Sequence, residues 1–357
     1  MRQTKELERR SDKVRSSHAP NPTARFALSV TAAVLAVVIL ACISVAYGST
    51  VIPLDQVVGA LARAMGLSHA SAATPIDRII VDLRLPRALV AIAVGAGLAV
   101  IGLLLQTITR NDLADPFLFG LSAGAAAGAV AVITRVGDQL GVFTLPIAAF
   151  TGGMCATGAV LFLLRRTEGQ GNERLVLAGL AVSFLFTALT NYLVFSGDQR
   201  AAHSVLFWTM GGLGLSSWHN IGIGLAGAGL ALAYTLARHR QLDALLGGEQ
   251  TAESLGVPVK RLRNVTFLVA SFSTALLVSI TGVIGFIGLM VPHVARAFAG
   301  PLHARLAIVC SLIGAALMLG SDLLARTLLP PQELPVGVVT SSIGAFFVIA
   351  MLMHGKR

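Results

Sequence analysis

The sequence predicts an all-α, polytopic membrane protein with about ten transmembrane helices. Of its 357 residues, 55% are hydrophobic and only 12% are charged, and its mean hydropathy is +0.78. A soluble protein carries about 25% charged residues. The composition therefore excludes an ordinary cytosolic enzyme, a disordered protein and a nucleic-acid-binding domain.

Stretches free of charged residues define most of the spans, because one crossing needs about 20 apolar residues. Each of the following stretches predicts a single span: 26–54, 88–109, 116–134, 139–164, 175–197, 306–321 (extended to Arg326) and 334–355. These seven segments set the order of the helices along the chain.

Two further apolar stretches are too long for one transmembrane helix and too short for two full ones. Residues 201–237 are too long for one helix and short for two, which predicts an aromatic-rich segment on the outer surface and one span that ends near Ala237. Residues 264–295 contain three closely spaced glycines. We interpret this stretch as one full span followed by one short, broken span, which brings the total to ten.

The distribution of charge orients the predicted helices. With the N-terminus in the cytoplasm, the inner segments hold 20 of the 27 basic residues and 10 of the 17 acidic ones, leaving seven of each outside. Lys and Arg concentrate on the cytoplasmic side of membrane proteins. We therefore expect a multi-pass protein of the bacterial inner membrane with both termini in the cytoplasm, a basic cytoplasmic tail at 1–25 and a single transmembrane domain at 26–357.

Glycines recur at helical spacing in two places, at 120, 124 and 128 and at 282, 285 and 288. Small residues three or four apart let membrane helices approach closely. We interpret both series as sites of tight helix packing. The alternative is a helix that breaks or slides during transport.

The sequence carries no recognisable catalytic or metal-binding motif. Walker A, HExxH and CxxC patterns do not occur, and the three cysteines lie far apart in apolar runs. No series of acidic and histidine residues follows the spans, so a proton relay is unsupported. We expect no catalytic residue, metal or cofactor, and the pattern favours a conduit for a bulky substrate over an enzyme.

Two polar clusters flank the second span. Arg84 and Arg87 precede it on the predicted outer side and, three residues apart, can share one side of the helix entrance. They either extend to the membrane interface or bind carboxylates of an extracytoplasmic protein.

Residues 106–116 follow the span on the inner side, where Asn-Asp and Asp-Pro pairs favour tight turns. This segment is either a simple turn or a lip of the cytoplasmic pore.

The third polar cluster lies in 238–263, the longest predicted cytoplasmic loop. Glu249, Ala252 and Leu255 recur at helical spacing, and Gly256 follows at the position where glycine commonly ends a helix. The pattern predicts a short helix held against the membrane face by basic residues that follow it. The alternative is a plain connector.

In this order, the clusters resemble the FecCD-type permeases of ATP-binding-cassette (ABC) importers, the membrane subunits for iron–siderophores, haem and cobalamin. The matching stretches cover nearly everything after residue 80: RLPR at 84–87, Q-x-x-x-x-N-x-L-A-D-P at 106–116, the glycines at 120–124, GE-x-x-A-x-x-LGV at 248–257, GFIGLMVPHVAR at 285–296, the Asp322…Arg326 pair and ELPVGVVT at 333–340. The sequence departs from the family pattern at Asp112, where proline is commoner, at 302–305, where Asp-His-Arg is commoner, and at Phe346, where proline is usual.

The resemblance implies the ten-helix fold of a type II ABC importer permease. The expected partners are a second permease subunit (a copy or a paralogue), two ATPase subunits inside and one extracytoplasmic solute-binding protein. By resemblance, the residues that meet glutamates of the binding protein are Arg84, Arg87 and Arg326. Those that form the coupling helix in the ATPase cleft are Glu249, Ala252, Leu255 and Gly256. The candidate gate residues on the two inner loops are Asn111, Leu113 and Asn172.

Several alternatives stay open. Arg326 follows Asp322 by four residues, so the two side chains could simply pair on one helical face. The resemblance favours a ferric siderophore as cargo, with cobalamin or haem as alternatives, because the binding protein largely selects the cargo in this family. A secondary transporter driven by protons or sodium would need an acidic residue inside the membrane. The two candidates, Asp322 and Glu333, both lie near the outer ends of the predicted spans. A structural or signalling membrane protein would not need the large inner loop together with outer arginines.

Overall fold

The computed structural model describes residues 22–48, 50–67, 74–136, 141–166, 172–197 and 199–354. Within these ranges the chain is helical and contains no strand, which confirms the all-α prediction. Most of the predicted basic tail, residues 1–21, lies outside the described residues.

Thirteen helices build the described fold. The first seven are α1 (Pro22–Ala46), α2 (Leu54–Ala64), α3 (Pro75–Thr109), α4 (Leu121–Ala131), α5 (Thr144–Arg166), α6 (Asn172–Phe195) and α7 (Gln199–Thr209). The other six are α8 (Trp218–Leu246), α9 (Glu249–Ser254), α10 (Val259–Thr281), α11 (Ile287–Ala299), α12 (His303–Thr327) and α13 (Val336–His354).

Ten of these helices correspond to the ten predicted spans. Eight are long and apolar enough to cross a membrane: α1, α3, α5, α6, α8, α10, α12 and α13. The shorter apolar helices α4 and α11 occupy the positions of the third and eighth predicted spans. The all-helical, polytopic prediction is therefore confirmed for the described part of the chain.

Helix ends differ from the predicted ends where charged residues find partners inside the protein. α3 begins at Pro75 rather than near 88, because Thr74 and Asp77 form a reciprocal N-terminal cap and Asp77 also pairs with Arg63. α8 continues past Ala237 to Leu246. The amphipathic helix α2 was not predicted, since eleven residues are too short for a search based on membrane spans.

The predicted full and broken spans at 264–295 are confirmed. α10 ends at Thr281, and Gly282 has a φ of +67°, a backbone conformation that favours glycine. Residues 282–286 are not helical, and the 13-residue α11 follows.

Glycines bring neighbouring helices into backbone contact, which confirms the tight-packing interpretation for the first series and, in the second, for the glycine at 288. The glycines at 282 and 285 lie instead in the non-helical segment between α10 and α11. Gly124 of α4 faces Gly152 of α5, and Gly102 of α3 faces Gly288 of α11. At each of these four positions a Cβ atom would meet backbone atoms of the facing helix. At Gly102, Gly124 and Gly152 the nearest backbone atom would lie within 2.5 Å of that Cβ, so these helices could not approach as closely with a larger residue.

α3 is the central helix of the bundle. It packs against α8, α10, α11 and α12, and almost all of its residues beyond Pro86 are buried. By contrast, α1 and α6 lie at the periphery and leave most of their apolar side chains exposed. Such apolar surfaces are typical of contacts with lipid or with another subunit.

Candidate functional site

The three arginines predicted to dock a binding protein converge at one end of the bundle. Arg326 Nε lies 3.0 Å from Asp322 Oδ2, and Arg87 Nη2 lies 2.9 Å from Asp322 Oδ1. Arg87 also pairs with Glu333 at 2.8 Å. The alternative that Arg326 pairs with Asp322 on one helical face is therefore confirmed, and Arg87 joins the same ion cluster.

Two of these arginines bind the C-terminal end of α1. Arg84 donates hydrogen bonds to the carbonyls of Val45 and Ala46 at 2.9 and 2.7 Å, and Arg326 donates to the carbonyl and hydroxyl of Ser44 at 3.1 and 2.7 Å. The last carbonyls of a helix lack partners within the helix and attract cations. Arg84 is only 7% exposed and Arg326 only 3%. Both side chains thus have internal partners, and their docking role stays a prediction.

The short helix predicted in the longest inner loop is present as α9. Gly256 follows it with a φ of +81°. Its N–H donates to the Glu253 carbonyl at 2.9 Å, and the Val257 N–H donates to the Ala252 carbonyl at 3.0 Å. This pair of hydrogen bonds is a Schellman motif, which ends a helix at a left-handed residue. The short helix is therefore confirmed, and its coupling role stays a prediction.

One side of α9 is fixed to the bundle and the other is available for contact. Ala252 is fully buried in an apolar cluster with Leu104 of α3 and residues of α8 and α10. Glu249 pairs with Arg263 of α10 at 2.5 Å. Leu255, by contrast, is 69% exposed. The exposed Leu255 at the end of α9 can therefore contact a partner, while Ala252 keeps the helix packed against α3, α8 and α10.

Two of the three predicted gate residues lie in one turn, and their gating role stays a prediction. Asn111 Oδ1 accepts a hydrogen bond from the Leu113 N–H at 2.9 Å, which closes a turn after α3. Leu113 lines a cavity of about 330 Å³ that also contacts Phe286 and Leu289 at the start of α11. Asn172 is the first residue of α6, and its side chain lies outside the described part of the structure.

Three further polar residues join the end of α3 to α11. Arg296 donates to Gln106 Oε1 at 2.9 Å and lies 3.3 Å from Asp112 Oδ1. Gln106 in turn donates to the carbonyls of Gly288 and Leu289 at 3.2 and 3.1 Å. Sequence analysis did not single out this network, although Gln106 and Arg296 both lie in stretches that match the family. Gln106 and Arg296 are 190 residues apart, and no pattern in the sequence indicates that their side chains are in contact.

Comparison with known proteins agrees with this architecture. Residues 35–354 match the FecCD transport family. The cobalamin import system permease protein BtuC of Halobacterium salinarum is 39% identical over 274 residues, covering 77% of this chain and 73% of that protein. The Fe(3+) dicitrate transport system permease protein FecD of Escherichia coli is 39% identical over 276 residues, covering 77% of this chain and 85% of that protein.

A solved structure extends the similarity to the whole fold. It shows a metal-chelate type ABC transporter in an inward-facing conformation and superposes with a TM-score of 0.77 at 29% identity. The match covers 91% of this chain and 98% of the other. On the evidence of its sequence and its fold, this chain belongs to the FecCD transport family and is a polytopic membrane permease of an ABC importer.

Proposed function

We propose that this chain is the permease subunit of an importer for a ferric siderophore, and that separate ATPase subunits power it while the chain itself hydrolyses no ATP. The observation that carries the ATPase-powered mechanism is α9, a short capped helix whose Ala252 is buried in the bundle and which is followed by the exposed Leu255. The cargo rests on the family resemblance. The proposal places α9 in the cytoplasm, with both termini, as the helix that the ATPase holds.

The contacts of α9 support a coupling role. Ala252 packs against Leu104, so a displacement of α9 reaches the central helix α3 directly. The ion pair between Glu249 and Arg263 links the same helix to α10. Closely packed interiors transmit displacement because they contain few voids. Movement of an ATPase bound to Leu255 would therefore be passed to α3 and α10 together.

The remaining partners follow from the surfaces of the bundle. The apolar sides of α1 and α6 leave room for a second permease subunit, either a copy or a paralogue, which would enclose the translocation path with this one. The end that carries Arg87 and Glu333 is the proposed docking surface for an extracytoplasmic solute-binding protein. Arg87 is the most accessible of the three predicted docking arginines, with 13% of its side chain exposed.

The proposed cargo is tested by uptake into proteoliposomes that contain this chain, its ATPase and its binding protein. We expect ATP-dependent accumulation of radioactive iron supplied as a ferric siderophore, and none with a non-hydrolysable ATP analogue. Labelled cobalamin and labelled haem are run in parallel. Uptake of either in place of the siderophore would overturn the cargo while leaving the importer intact, and uptake driven by a proton or sodium gradient without ATP would overturn the importer.

A further inference from the structure

A basic pocket of about 450 Å³ opens where three helix ends meet. Its cationic residues come from the end of α5 and the starts of α6 and α10: Arg165, Arg174, Lys260 and Arg263. Its apolar wall includes Leu161 and Leu164 of α5 and Leu268 of α10. The pocket is therefore charged at the helix ends and apolar farther along the helices.

The electrostatics of this pocket favour an anion. α6 and α10 both begin here, and the N-terminal end of a helix carries partial positive charge. Glu249 pairs with Arg263, but no ion pair among the described residues involves Arg165 or Lys260. The Nε atom of Arg263 is buried and has no hydrogen-bond partner within the described structure. A buried guanidinium donor without an acceptor is costly, so a bound anion would satisfy it.

We propose that this pocket binds the headgroup of an anionic phospholipid from the cytoplasmic leaflet. The phosphate accepts hydrogen bonds from the arginines, a pairing for which guanidinium geometry is well suited. An acyl chain lies along Leu161, Leu164 and Leu268, a contact that a free anion would not make. Basic pockets between transmembrane helices on the cytoplasmic side suit such headgroups. The inference rests on the cytoplasmic placement of 165–174 and 238–263 proposed above.

Arg263 connects the proposed lipid site to the proposed coupling helix α9. Arg263 reaches the pocket and also pairs with Glu249 of α9. A phosphate at the pocket would therefore share the Arg263 guanidinium with α9. Lipid binding at this position would hold the start of α10 against α5 and α6, next to the base of α9.

The test is native mass spectrometry of the delipidated, assembled transporter in detergent, titrated with dioleoylphosphatidylglycerol and, separately, with dioleoylphosphatidylcholine. We expect preferential binding of the anionic lipid. Each basic residue near a lipid surface contributes about a fivefold change in affinity, so the R165Q/K260Q double variant should lose about 25-fold. The matched control is R238Q/R240Q, which removes the same charge from exposed positions of α8. Both variants are first shown to assemble by size-exclusion chromatography.

Three results would overturn the proposal. Equal binding of the two lipids would show that headgroup charge has no part in it. Equal losses in the two double variants would assign the binding to diffuse surface charge. Displacement of the lipid by inorganic phosphate or by water-soluble glycerophosphoglycerol at similar concentrations would identify the site as one for a free anion. Because this measurement needs neither ATP nor transport, its failure is distinct from a failure of the proposed function.

Discussion

Asp243 binds His303 through two hydrogen bonds to one carboxylate oxygen. Asp243 Oδ1 accepts the His303 backbone N–H at 2.8 Å and its ring Nδ1 at 2.7 Å. On the other side of the ring, His303 Nε2 lies 2.7 Å from the Thr107 hydroxyl. The imidazole is almost fully buried. These contacts join the end of α8, which leads into α9, to the start of α12 and the end of α3.

Replacing Asp243 with Ala should destabilise the transporter, because it leaves a helix N-terminal N–H and a buried ring nitrogen without their acceptor. An unsatisfied buried polar group costs about 1–3 kcal/mol. We expect a clear fall in the thermal unfolding midpoint of the purified transporter. The matched control is Asp82→Ala, at an exposed position of α3. Equal midpoints for the two variants would mean that the Asp243–His303 contact contributes nothing to stability.

Charge reversals should separate the proposed docking role of Arg87 from the contacts of Arg84 and Arg326 with α1. Arg87→Glu should slow association with the solute-binding protein and alter its salt dependence, because it turns an attraction into a repulsion. Arg84→Glu and Arg326→Glu should lower stability without a specific effect on association, because each removes buried hydrogen bonds to the end of α1. Arg87→Glu should also lower stability, because it places an acid beside Asp322 and Glu333, so association is compared among variants that remain assembled. Association is measured on the transporter in nanodiscs at two salt concentrations. If Arg87→Glu leaves both rate and salt dependence unchanged, Arg87 does not belong to the docking surface.

Gly256→Val should impair coupling without preventing membrane insertion. At a φ of +81°, a left-handed residue other than glycine costs about 1–2 kcal/mol, and a β-branched side chain fits this conformation poorly. The cap of α9 should then loosen, so that ATP hydrolysis drives less uptake. Gly229→Val is the matched control, since Gly229 lies in α8 with open space around its Cβ position. The prediction fails if the two variants transport equally well per ATP hydrolysed.

Single cysteines in a cysteine-free background test the orientation. Ser254 lies in α9 and Ala201 in α7, on opposite sides of the membrane in the ten-span arrangement. An impermeant thiol reagent added to intact spheroplasts should label a cysteine at 201, and a cysteine at 254 only after the inner membrane is opened. The reverse pattern would contradict the arrangement in which both termini are cytoplasmic.

Local patterns in the sequence predicted the helices and the contacts between residues close along the chain. Hydropathy located the ten apolar helices, helical spacing indicated the Asp322–Arg326 pair, and the glycine at 256 marked the end of α9. These features depend on composition and on neighbours within one or two helical turns. A single sequence carries this information directly.

Contacts between distant segments could not be predicted in the same way. Arg84 binds carbonyls that lie 38 and 39 residues earlier in the chain, and Asp243 binds a histidine 60 residues later. Backbone carbonyls have no sequence signature, so the contact of Arg84 with the end of α1 left no pattern to find. The docking role of this arginine stays a prediction beside that contact.

Crosslinking from Leu255 tests the central claim most directly. A photo-activatable residue placed at this exposed position of the α9 cap should form an adduct with the ATPase subunit in the assembled transporter. The same residue at Leu189, an exposed position within α6, is the control and should form none. Adducts with the ATPase from 255 alone are the result that the account predicts. An absence of adducts from 255, together with adducts from the loop at 165–174, would contradict it.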